Sequence, residues 1–276
     1  MSRAVKTMGS IVKSNLPPEV ERAVRDFFGK HTDTIDKVEA DLLKEIRDGT
    51  IDTSSTHSVR VGVKRVIGTY SSEVYLTHKQ GVGEGAKAGR AASARLYNLD
   101  LTFNRVPART LQELEAWSKT AADSGMSTIT EDTTNYVRNA HRQGLSTQEL
   151  ARQVRDDLFE GRLKTWQAER TARTMTIPSS NAGSHTAYVE EPSVIGEEWI
   201  ATMDQRTRTS HQQANGQIVA PHSTFRVGGH SARYPGDPRL PLDELVQCRC
   251  RVGAVMTDEV SPSELATLEG GGRIYR

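Results

Sequence analysis

The stretch that decides the fold is Trp199–Arg251, WIATMDQRTRTSHQQANGQIVAPHSTFRVGGHSARYPGDPRLPLDELVQCRCR. It holds both cysteines of the chain, Cys248 and Cys250, and three of its eight histidines, His211, His222 and His230. An Asn215-Gly216 pair and a Tyr234-Pro235-Gly236-Asp237-Pro238 run read as turns, because Gly tolerates positive φ and Asp bonds back to its own backbone. Trp199, Ile200, Phe225, Leu242, Leu245 and Val246 are the expected core of a small module over 191–256. So few apolar residues among so many loops call for something besides burial to close the module.

A metal is one answer. Cys248 and Cys250 lie two residues apart, which puts both on one side of an extended strand. A disulfide between them would be strained, whereas two thiolates about 2.3 Å from one zinc ion are reachable. His211 is the first choice for a third ligand, with His222 or His230 as the fourth. The plainer reading treats the cysteines as small buried hydrophobes and the histidines as solvated loop residues. Both readings stand at this point.

These residues resemble the C-terminal domain of the phage head morphogenesis proteins, the Mu F-like minor head proteins of tailed viruses. The resemblance rests on Trp199-Ile200-Ala201, Asp204-Gln205-Arg206-Thr207-Arg208 with Ser210-His211, Asn215-Gly216-Gln217, Tyr234–Pro238 and Cys248-Arg249-Cys250. Arg208 and His211 stand where many relatives carry Cys-x-x-Cys. Upstream, Leu145–Ala151, Ala168-Glu169-Arg170, Ala172-Arg173-Thr174, Asn181-Ala182-Gly183 and Ala187-Tyr188 are similar to the family's preceding helices. Met175 stands where relatives often have Glu, and Arg173 reads as a structural cation that pairs with Asp204 or a nearby acid.

Composition sets outer limits. The formal net charge is +1, from 36 basic and 35 acidic side chains, so a protein devoted to coating nucleic acid is disfavoured. Low hydrophobic (36%) and aromatic (5%) fractions fit an elongated, helix-rich chain that completes its burial against partners. No apolar run approaches the ~18 residues of a membrane span, and MSRAVKTMGSIVK lacks a signal-peptide core. A soluble protein made in a reducing cytoplasm is expected, without a disulfide framework.

Along the chain, residues 1–15 read as a flexible arm. Pro17-Pro18 open a helix whose stripe Ile35, Val38, Leu42, Leu43 and Ile46 ends at Asp48-Gly49. Val59, Val63, Val66, Ile67, Tyr70 and Val74 repeat with helical spacing. The glycine-rich run Gly81, Gly83, Gly85, Gly89 marks either a close helix–helix contact or a kinked, mobile piece. Thr110 with Glu113, Thr130 with Glu131-Asp132, and Ser146 with Glu149 read as helix starts. A last helix is expected over about Thr165–Tyr188, with Pro178 a point of breakage. Val252–Met256 finishes a strand, and 257–276 reads as a polar tail, mobile or docking.

The fold class expected is α+β: a mostly α-helical N-terminal (1–100) and middle (101–190) region, a small α+β module (191–256) and the tail. The resemblance implies a non-enzymatic minor head protein in the virion, in the capsid interior near the portal vertex. Its partner would be the portal protein, with major capsid or scaffold protein next, and its role head assembly or readying the genome for ejection. DNA contact through Arg206, Arg208, Arg226, Arg233, Arg239, Arg249 and Arg251 would be secondary and non-specific. The enzymatic alternative is a metal-assisted hydrolase or nuclease using His211, His222, His230 and Asp237, or Cys248 as a nucleophile.

Overall fold

A computed structural model describes residues 16–101 and 105–276. The arm expected over 1–15 lies outside the described residues. The architecture is α+β: long helices through the first two-thirds, then a small antiparallel sheet. The helices are α1 (Pro18–Arg47), α2 (Thr56–Gly68), α3 (Ser71–Tyr97), α4 (Ala108–Arg142) and α5 (Thr147–Gln153). A π-type stretch Val154–Gln167 leads into α6 (Ala168–Glu190).

The chain divides into two compact units that interleave in sequence, unlike the contiguous segments expected above. The first comprises Arg25–Gln80 and Trp117–Ala172. The second comprises residues 16–24, Gly81–Ala116 and Arg173–Arg276. The reason is helix length: α1, α3, α4 and α6 each supply residues to both units, so no boundary coincides with a loop.

In the first unit, the stripe Ile35, Val38, Leu42, Leu43 and Ile46 is buried with Val59, Val63, Val66, Val137, Leu150, Val154 and Leu158. Ser146 and Glu149 form a capping box at the start of α5, as their spacing predicts. Thr130 does not start a helix. It lies inside the continuous α4, where its hydroxyl donates to the Met126 carbonyl (2.8 Å) instead of capping. Lys164 ties α1 to the π-type stretch by pairing with Asp36 (2.6 Å), Glu39 and Glu160 (2.8 Å).

Two imidazoles are buried in this unit. His31 stacks on Phe27 (centroids 5.7 Å) and lies 5.4 Å from the His78 ring. Burial holds His31 down at about 4 and His78 at about 3. Both are therefore neutral in the fold at pH values where the unfolded chain, titrating near 6.5, takes up protons. The stability they lend is present above ~6.5 and is lost as pH falls toward the folded values. We expect a loss of roughly 2 kcal/mol per imidazole between about pH 7 and 5. Thermal unfolding across that range tests this, and a His31→Leu/His78→Leu variant with the same acid slope as wild type would refute it.

In the second unit, β1 (Val194–Ile200) is central to a four-stranded antiparallel sheet ordered β5-β1-β2-β6. Here β2 is Gln217–Val219, β5 is Arg251–Met256 and β6 is Arg273–Tyr275. A hairpin of β3 (Phe225–Val227) and β4 (His230–Ala232) stands beside it. Short helices α7 (Thr209–Ala214), α8 (Leu242–Leu245) and α9 (Pro262–Glu269) complete the unit. Segment 257–276 is thus not a separate tail: α9 buries Leu268, and β6 pairs with β2.

The glycine-rich run resolves as a close helix contact. A Cβ on Gly89 would lie 1.9 Å from the Ser180 carbonyl oxygen, and one on Gly183 1.8 Å from that of Ala86. Pro178 does not break α6. Ser179 and Ser180 hydroxyls donate to the Met175 and Ile177 carbonyls there (2.6 and 2.7 Å), and Gly236 (φ +79°) lets the Tyr234–Pro238 turn close on the Pro178 ring.

Candidate metal centre

The site is built where three segments of the second unit meet. The Asn215-Gly216 turn sets the first of these. Asn215 Oδ1 accepts the Ala201 N–H (2.9 Å), and Gly216, at φ +73°, donates its N–H to the Trp199 carbonyl (2.9 Å). That turn places α7, and with it His211, against the inner end of β1. The second segment is α8 and the turn after it. Gln247 adopts φ +56° and donates its N–H to Thr174 Oγ1 (3.1 Å), which turns the chain so that Cys248 points inward. The third is the start of β5, fixed by Asn181. Its amide nitrogen donates to the carbonyls of Pro235 (2.8 Å) and Cys250 (2.9 Å), and its oxygen accepts the Val252 N–H (3.3 Å).

His211, Cys248 and Cys250 come together here, their ligand atoms all within 4.8 Å of one another. Each is about 2% exposed or less. Nδ1 of His211 lies 3.2 Å from Cys250 Sγ and 3.7 Å from Cys248 Sγ. On the opposite side of the ring, Nε2 meets Glu244 Oε2 at 3.0 Å, and Ser210 Oγ donates to the same oxygen (2.8 Å). The Trp199 ring stands edge-on to His211 (centroids 5.5 Å) and its buried N–H finds no oxygen or nitrogen partner. Donation of the Cys248 thiol to Cys250, together with burial, pushes Cys248 well above its ordinary value. Accepting that bond pulls Cys250 down, helped by His211 and the Trp199 indole against the opposing effect of burial.

The structure does not bring His222 or His230 into this cluster. Both are exposed, His222 in the loop before β3 and His230 at the start of β4. Among the described residues, neither has a ring nitrogen within 4.8 Å of all three ligand atoms of His211, Cys248 and Cys250. Glu244, which the sequence reading passed over, contacts His211 instead.

The other carboxylates named for chemistry are committed elsewhere. Asp237 is fully buried and accepts from the Arg233 backbone N–H (3.0 Å), from Arg233 Nε (2.9 Å) and from Arg239 (2.8 Å). Burial alone would raise its carboxyl, but these donors outweigh it and hold it far below the usual range. Asp204 pairs with Arg249, which supplies both terminal nitrogens of its guanidinium. Arg208 donates to the Val246 carbonyl. Four of the seven arginines proposed to meet DNA are therefore spent on internal partners. Of the expected core, Trp199, Phe225 and Leu245 are buried, but Leu242 is 70% exposed. The four-residue α8 turns one face inward and Leu245 occupies it.

Comparison with known proteins bears on the same region. Residues 131–253 match the family model described as Phage Mu protein F like protein. The chain is 25% identical over 172 residues to the uncharacterized protein YqbB of Bacillus subtilis, covering 60% of this chain and 55% of that one. It is 32% identical over 137 residues to the NAD(+)--arginine ADP-ribosyltransferase EFV of Enterococcus faecalis, covering 49% of this chain and 27% of that protein. It is 27% identical over 141 residues to the minor head protein GP7 of Bacillus phage SPP1, covering 50% of this chain and 46% of that protein. The chain thus spans about half the length, or less, of these curated relatives. No solved structure matches it. The buried Trp199, the Asn215-Gly216 turn and the Cys-Arg-Cys of the site all fall inside the segment similar to the Phage Mu protein F like family model.

Proposed function

We propose that the chain is a structural minor head protein of a tailed phage, held in the capsid interior at the portal vertex and acting in head assembly or in readying the genome for ejection. The similarity to a minor head protein over 50% of the chain, together with the Mu F-like match over residues 131–253, carries this reading. The geometry supports a non-enzymatic role. The carboxylate a hydrolase would use at Asp237 is engaged by two arginines, and the Cys248 thiol a nucleophilic mechanism would need is 1% exposed. No helix among the described residues is long and apolar enough to cross a membrane. Large apolar side chains left exposed, Leu76, Leu96 and Trp166 among them, suit a chain that completes its burial on a partner.

Co-sedimentation of the purified protein with portal protein, and separately with assembled capsid shells, tests the reading. Stoichiometric association with portal is the expected result, and association with shells alone would move the protein away from the vertex. Binding to neither would overturn the proposal.

A further inference from the structure

We propose that His211 Nδ1, Cys248 Sγ and Cys250 Sγ bind one zinc ion, and that Glu244 acts as the positioning residue that holds His211 in its ligating tautomer. The inference does not depend on the portal reading.

Distances carry it first. Zinc bonds of about 2.3 Å to sulfur and about 2.0 Å to nitrogen set tetrahedral S···N edges of roughly 3.6 Å. The two S···N separations, 3.2 and 3.7 Å, lie on either side of that edge. The imidazole carries it second. A carboxylate on Nε2 requires the proton there, which leaves the Nδ1 lone pair facing both sulfurs. Glu244 sits across the ring from Nδ1, so it is not a ligand of the same ion. Charge carries it third. Two thiolates neutralise a divalent ion, and the Arg208 and Glu244 charges beside the site offset each other. Two thiolates and an imidazole are a donor set that selects zinc over hard cations. With no fourth protein ligand among the described residues, water takes the remaining corner of the tetrahedron.

The full chain, purified under reducing conditions, is dialysed against zinc and its metal content measured by mass spectrometry, with reactivity of the two thiols toward a disulfide reagent followed in parallel. One zinc per chain is expected, with both thiols protected until a chelator is added. Cobalt substituted for zinc should show thiolate-to-metal charge transfer and the intense visible bands of a tetrahedral site. Glu244→Gln should keep the stoichiometry while weakening zinc binding roughly 10- to 100-fold. His222→Ala and His230→Ala should bind as wild type does. Zinc well below one per chain in the folded wild type, or thiol reactivity indifferent to zinc and chelator, would overturn the site. Zinc lost on His222→Ala or His230→Ala would overturn the ligand assignment, and unchanged affinity in Glu244→Gln would overturn the role of Glu244.

Discussion

Replacing Gly183 with alanine is expected to destabilise the protein by roughly 3 kcal/mol or more, an overpacking cost at the upper end of its usual range. The added methyl would sit 1.8 Å from the Ala86 carbonyl oxygen and 2.7 Å from its carbon. These are backbone atoms, so no rotamer change relieves the clash. The helices α3 and α6 would have to separate by more than 1 Å, on the order of the gap between this contact and a normal van der Waals distance. Separation also strains what lies along the same contact. Ser184 Oγ donates to the Gly89 carbonyl (3.1 Å), Ser93 Oγ to the Tyr188 hydroxyl (2.9 Å), and the buried Arg90 reaches Thr186 (3.2 Å) and Glu190. Gly83→Ala is the internal control. It belongs to the same glycine run, yet nothing lies within 4 Å of its added methyl. Helix propensity then acts alone, and a gain of up to about 1 kcal/mol is expected. Urea midpoints of the two variants should move in opposite directions. A Gly183→Ala midpoint equal to wild type would mean that the helices do not pack this closely.

That pair of glycines shows where sequence reasoning reaches its limit. The spacing Gly81, Gly83, Gly85, Gly89 identified an unusual helix but not which glycines face a partner, since that depends on α6 arriving from nearly a hundred residues away. Local signals fared better. The apolar stripe of α1 and the Ser146–Glu149 box are written within a few residues of where they act, and both are present. At the candidate metal centre the two cysteines were legible because the chain has no others. Choosing among His211, His222 and His230 was not possible from spacing, because the choice is made by Glu244 and by the hairpin pairing that keeps Val227 and His230 together. The last strand, Arg273–Tyr275, was invisible for a similar reason. Its single inward residue, Ile274, gives no period to read, and its register comes from Gln217–Val219.

Replacing Asp237 with alanine is expected to cost about 3 kcal/mol, the lower part of the range for removing one partner of a buried charge pair. The lower part applies because the stranded cations are not equally trapped. Arg239 is 56% exposed and can return to water, whereas Arg233 is 25% exposed and keeps Glu113 (2.7 Å) and the face of the Tyr234 ring (5.2 Å to its centroid). The loss should spread. Asp237 closes the turn whose Pro235 carbonyl accepts from Asn181, and Asn181 in turn holds the Cys250 carbonyl and the Val252 N–H. Loosening the turn therefore loosens the segment that carries the sulfur ligands. The pH dependence separates this effect from that of the buried imidazoles. The Asp237 carboxyl is depressed in the fold, so its contribution is fully present above its unfolded value near 3.9 and disappears as pH falls through the folded value. Wild type should lose this increment only below about pH 4, while the difference between wild type and Asp237→Ala stays constant from pH 5 upward. Thermal unfolding of both proteins across that range measures it. A variant that melts with wild type at neutral pH would show the carboxylate to be dispensable to the fold, and would return Asp237 to consideration as a chemical group.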